Sequence, residues 1–226
     1  MIAMDPAVVA SLDALFGALF LLTTFMMLAL RQTQAVLHAY VVQALLLTAS
    51  AALLAAGRAS PELAAVAVIT LIAKPLLVPW LIARLLGPGL RAKREVQAVL
   101  NVPTSLTIAL AISLFAYFVT RPLLPPGDAV ARISVPLGLD VLLLGVLMLA
   151  IRREALPQLM SLMVIDNGAF FAGIAITGSS ALVEFAAALE GVMVVMIVAL
   201  LTRTIAQLVG STEVAALSKL RERRSP

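Results

Sequence analysis

Four ionisable residues of this 226-residue chain, Lys74, Asp140, Asp166 and Glu190, stand deep inside long apolar runs. Placing an ionised side chain at the centre of a bilayer costs about 2.5 to 3.5 kcal/mol or more, so each needs protein, water or an opposite charge beside it. Desolvation disfavours the charged form of a carboxyl or an amine, and a nearby opposite charge restores it. A lysine and a carboxylate at variable separation therefore form a protonation switch, and the chemistry that such a set suits is proton transfer. A static ion pair that holds helices together would use the same residue types.

The neighbouring residues sharpen this reading. Lys74 is followed by Pro75, and Pro79 comes one turn later. Each proline removes a backbone donor, so a helix here is expected to bend near the lysine and to admit water. Asp166, Asn167 and Gly168 form a polar triplet in an apolar run, and the glycine permits close helix approach or a bulge. Glu184 lies about 120° round a helix from Glu190, so the two are not one carboxylate pair. It reads either as an outer proton exit or as an end residue that snorkels. His38 and Gln43 occupy the inner half of the second run, where they could continue a proton wire or make helix-to-helix hydrogen bonds. Asp13 reads as interfacial and stays outside the central row.

The elements that must carry these side chains follow from composition. Hydrophobic residues make up 62% of the chain and charged residues 12%, against roughly 25% charged in an ordinary soluble domain. Apolar runs at about 7–30, 34–57, 62–84, 98–120, 132–151, 155–178 and 181–206 are each long enough to cross a bilayer. The expected fold is an all-α integral membrane protein of about seven transmembrane helices in one membrane domain. No Lys or Arg precedes the first run and it exceeds a typical signal-peptide core, so it is expected to remain as a span.

Twelve of the Lys and Arg residues fall on one set of alternating loops and the tail, while Arg58, Arg121 and Arg132 fall on the other. Basic residues are retained on the cytoplasmic side, which predicts an N-terminus outside and a C-terminus in the cytoplasm. The net charge of +4 is thus topological and implies no nucleic-acid partner. The turn at 87–89 leading into basic residues 90–95, and the stretch 211–217, read as peripheral to the membrane. Met27-Leu28-Ala29-Leu30-Arg31 is similar to Met148-Leu149-Ala150-Ile151-Arg152, which suggests a repeated three-helix unit. The resulting plan is 3 + 1 + 3: residues 1–86, a basic loop and connecting helix at 87–130, a second unit at 131–210 and a basic tail at 211–226.

The chain has no cysteine and a single histidine. Cysteine-ligated iron-sulfur clusters, disulfides and thiol nucleophiles are excluded, and no bound metal or other cofactor is expected.

The segment from Ile72 to Pro79, the Asp166-Asn167-Gly168 triplet, and Glu184 with Glu190 ahead of the run ending Leu200-Leu201-Thr202-Arg203 together resemble the hydrogenase-4 component E family. The resemblance extends over nearly the whole chain. The last three runs are also similar to the small K-type membrane subunit of respiratory complex I and to the C-type subunit of multisubunit cation/proton antiporters. The resemblance implies a bacterial inner-membrane, multi-pass subunit of a hydrogenase-4 or formate-hydrogenlyase-like complex. Its partners would be antiporter-like and other membrane subunits, with soluble nickel-iron and iron-sulfur subunits holding the metals. It also implies proton-translocating roles for Lys74, Asp166 and Glu190; by their positions along the runs, Asp140 is expected as an additional relay and Glu184, His38, Gln43 and Asn167 as candidate accessories. Asp166 stands where the complex I subunit usually has Glu, and Gln43 falls where a carboxylate would be expected. A scaffold subunit of the same complex, or an independent small transporter, are the competing readings.

A reporter fused at residue 226 is expected to read out as cytoplasmic, and a periplasmic signal would overturn the assigned orientation.

Overall fold

A computed structural model describes residues 5–80, 82, 84, 98–124 and 127–176. Among them six helices are long and apolar enough to cross a membrane: α1 (Pro6–Ala29), α2 (Thr33–Arg58), α3 (Pro61–Ile72), which runs on through a π-helical turn at Ala73–Leu77 to Trp80, α4 (Val102–Thr120), α5 (Ala129–Ile151) and α6 (Ala155–Ile176). No β-strand occurs among the described residues beyond an isolated bridge between Ala98 and Arg152. The chain is thus a helical, membrane-embedded protein. The expected seventh run at 181–206 and the two peripheral stretches lie outside the described residues.

The first turn of a helix leaves backbone N–H groups without partners, and short polar side chains satisfy them. Asp5 accepts from the Ala7 N–H at α1, Ser60 from Leu63 at α3, Asn101 from Thr104 at α4 and Asp128 from Ala131 at α5. Asn101 also corrects the fourth run, expected from residue 98. Its side chain caps a helix that begins at Val102, while the Val99 N–H leaves the helical register to bond the Ile151 carbonyl. Between α2 and α3 the chain reverses through Ala59, held in the left-handed region at φ 49°.

With little hydrophobic force between helices in lipid, association depends on close packing and interhelical hydrogen bonds. Phe20, Leu47, Leu144, Met160 and Phe171 are fully enclosed, and the Phe20 and Phe171 rings stack at 4.9 Å. Leu22, Leu110, Phe115 and Phe118 face outward, as a lipid-facing surface requires. The most extensive pairing is between α5 and α6, and glycine makes it possible. A Cβ built on Gly168 would fall 2.7 Å from the Gly138 carbonyl oxygen, and one on Gly145 would fall 2.7 Å from Ile165. The glycine of the polar triplet thus serves close approach of two backbones.

Helices α1 and α5 end on one face, where Arg152 reaches from the end of α5 to donate to the Met27 carbonyl of α1 at 2.7 Å. Helices α2 and α6 end together on the other, where Arg58 donates to the Ile174 and Ala175 carbonyls of α6 at 3.2 and 2.9 Å. Each arginine donates to main-chain carbonyls of a neighbouring helix and so ties two helices together. The two similar pentapeptides occupy corresponding places, each closing its helix, and Met27 and Met148 are both fully buried. The hairpins α1–α2 and α5–α6 therefore run in the same sense, and the last span of the 3 + 1 + 3 plan lies beyond the described residues.

Gly168→Ala or Gly138→Ala must push backbone against backbone and is expected to cost about 1–3 kcal/mol. Gly173→Ala, with open space around the added carbon, is expected to stay within about 0.5 kcal/mol. Unfolding of the purified protein in a denaturing-detergent titration measures both.

Candidate functional site

The bend expected beside Lys74 takes the form of a π-helical turn. Pro75 has no N–H to give, and the Val78 N–H reaches five residues back to the Ala73 carbonyl. Such single-turn widenings recur at functional positions. Here the turn carries Lys74 inward: the residue is 4% exposed, and its Nζ lies 2.7 Å from Oδ2 of Asp166 on α6, itself 7% exposed. The Phe170 ring, one turn along α6, sits 4.8 Å from the same ammonium and adds a cation–π contact. Although the two charges touch, Nζ makes no aligned hydrogen bond among the described residues. An ammonium has three N–H donors, so its contact with the carboxylate leaves room for water to enter or a proton to move.

One residue further on, Asn167 donates to Gln43 Oε1 of α2 at 3.1 Å, and Gln43 donates to Thr24 Oγ1 of α1 at 2.6 Å. The Thr24 hydroxyl donates in turn to the Phe20 carbonyl. Three helices are tied together by this chain, and it fixes the rotation of α6 that aims Asp166 at Lys74. Amides orient well but relay protons poorly, so Asn167 and Gln43 act as positioning residues. The Asn167 carbonyl oxygen is buried and has no partner among the described residues.

The other sequence-derived candidates separate. Asp140 is buried on α5, but its partner is the Ser113 hydroxyl of α4 at 3.0 Å. Neither an ion pair nor a hydrogen bond connects it to Lys74 or Asp166 among the described residues. His38 is exposed and stands about 140° round α2 from Gln43, so the two do not form one wire. Glu184 and Glu190 lie outside the described residues.

Asp13 corrects the sequence reading outright. Expected at the interface, it is 1% exposed, and its two carboxyl oxygens accept from the hydroxyls of Ser50 on α2 and Ser134 on α5. The signal was its depth: seven residues into α1 is about 10 Å of helical rise, and Ser50 and Ser134 stand at similar depth on their own helices. The carboxyl and its two hydroxyl partners tie α1, α2 and α5 together. Among the described residues no three His, Asp or Glu side chains gather in a way that would hold a metal ion.

The chain is similar to the uncharacterized protein Rv0085 of Mycobacterium tuberculosis (strain ATCC 25618 / H37Rv), with 29% identity over 161 residues, which is 71% of this chain and 73% of that protein. No family model matches the chain. No solved structure matches it.

Removing one member of a buried ion pair strands the other charge, whereas replacing both by apolar residues is often neutral or stabilising. Lys74→Met is therefore expected to destabilise the protein by about 3–5 kcal/mol, and adding Asp166→Leu is expected to recover most of that loss. Unfolding midpoints of the two variants, read beside the wild type, check the sign of each change.

Proposed function

We propose that this chain is a membrane subunit of a hydrogenase-4 or formate-hydrogenlyase-like redox complex related to respiratory complex I, set in the bacterial inner membrane, and that it contributes to proton translocation. The observation that carries the reading is the buried contact between Lys74 and Asp166 beside a π-helical turn. In a medium where an isolated charge is costly, a lysine and a carboxylate in contact can exchange stability between a charged and a neutral form. Movement of the widened turn would alter their separation and hence which form prevails. Glu190 would extend the route through the last run, and Asp140 with Ser113 would be a separate relay.

The chain itself would carry no redox chemistry. Soluble nickel-iron and iron-sulfur partners would carry it, and antiporter-like membrane subunits would continue the proton route. The sequence resemblance to hydrogenase-4 component E supports these partners. A second reading has its own support. The amide chain from Asn167 to Thr24 looks built to hold helices, and the ion pair could do no more than that, which would make the chain a scaffold of the same complex. An independent small transporter is the weaker alternative.

Asp166→Asn, introduced into the intact complex, keeps the size of the side chain but removes its titration. Donor-driven proton uptake by inverted membrane vesicles, followed with a pH-sensitive acridine dye, is expected to fall about tenfold or more per assembled complex. Uptake unchanged at full assembly would overturn the proton-handling reading. A loss of complex yield with normal uptake per remaining complex would favour the scaffold.

A further inference from the structure

Arg152 counts in the sequence as one more basic loop residue, yet it is 3% exposed. Only part of its hydrogen-bonding capacity is used. Nη2 donates to the Met27 carbonyl, while Nη1 is buried with no hydrogen-bond partner among the described residues. Burial draws this guanidinium below its ordinary range to about 10, so it keeps its charge at neutral pH. A buried N–H of a cation left open costs free energy unless something outside the described residues accepts from it.

Arg152 borders a cavity of about 490 Å³ between the ends of α1 and α5 and the start of α4. Arg31 and Arg153 line it as well, and no acidic residue among the described residues does. The first residues of α4, Asn101 and Val102, form another wall. Leu28 and Ile151 supply an apolar wall. Among the described residues three cations and no carboxylate line the cavity, which describes an oxyanion site. The pairing of planar guanidinium groups with a tetrahedral oxyanion favours phosphate.

Location narrows the source. The cavity opens where two membrane-crossing helices end, at the level of the headgroups, on the face that the charge distribution assigns to the cytoplasm. Basic pockets of this kind between transmembrane helices take acidic lipid headgroups. We propose that the cavity binds the phosphate group of an anionic phospholipid, with Arg152, Arg31 and Arg153 as its cationic ligands and the apolar wall meeting the start of the acyl chains. The site falls where the two similar pentapeptides meet, since Arg31 and Arg152 are their corresponding last residues. A lipid seated there would bridge the two hairpins.

The test is native mass spectrometry of the full chain in detergent, titrated separately with phosphatidylglycerol, phosphatidylcholine and inorganic phosphate. The expected result is saturable binding of phosphatidylglycerol, about tenfold or more tighter than phosphatidylcholine. Arg31→Gln and Arg153→Gln are each expected to weaken it about fivefold. Arg152→Gln should abolish the preference. Because that variant also loses the bond to Met27 and could fail to fold, the two exposed arginines carry the test independently. Arg84→Gln removes one charge from the same expected membrane face but outside the cavity, and is expected to change affinity less than twofold. Equal weakening by Arg84→Gln would mean a diffuse charged surface and overturn the site. No preference between the two lipids, or equally tight binding of inorganic phosphate, would overturn the lipid assignment.

Discussion

Hydrocarbon supplies no hydrogen bonds and little dielectric screening, so the contact between Lys74 and Asp166 can persist only if two helices are held at fixed rotation and depth. Much of the described architecture serves that condition. On α6, Gly168 and the facing Gly138 bring the backbones of α5 and α6 together, and Asn167 fastens the same turn to α2 through Gln43. On α3, the loss of a donor at Pro75 widens one turn at the position from which Lys74 projects. The ion pair is therefore the point on which glycine packing, an amide chain and a backbone irregularity converge. A change at any of the three would be felt as a change in the distance between two charges.

The remaining buried polar groups are distributed instead of pooled. Asp13 with its two serines joins α1, α2 and α5, and Asp140 with Ser113 joins α4 and α5. Each carboxyl finds hydroxyl partners on a different helix, as expected where a polar group has no water to turn to. A continuous route among them would need water between the clusters.

Hydrophobic runs made the six described helices readable, since a span of about twenty apolar residues has few alternatives. The start of α4 was misread because an apolar stretch does not reveal that Asn101 and Pro103 begin a helix only there. Depth along the sequence placed Lys74 and Asp166 in one row with Asp140 and Glu190 without pairing any two of them, because depth is blind to the face a side chain occupies. That face is set by which helix lies beside which, and single-sequence patterns do not contain this information. Asp13 was misassigned for the opposite reason: its distance from the end of a run was read as shallow. Arg152 was hidden by its position at a span end, where a solvated topological charge is the usual occupant. Only its correspondence with Arg31 in the weak repeat marked the place as more than a loop.

The arginine contacts at the two membrane faces bear on how this assembly can move. Arg58 fastens the end of α2 to α6 on one side, and Arg152 fastens the end of α5 to α1 on the other. The hairpins are latched at both ends of their shared interface. A gate that opens one face while closing the other, as a rocking carrier does, would have to break each latch in turn. Such a body suits a stationary frame. Its working motions are then local: a side chain changing rotamer, a water entering, one widened turn tightening by a residue.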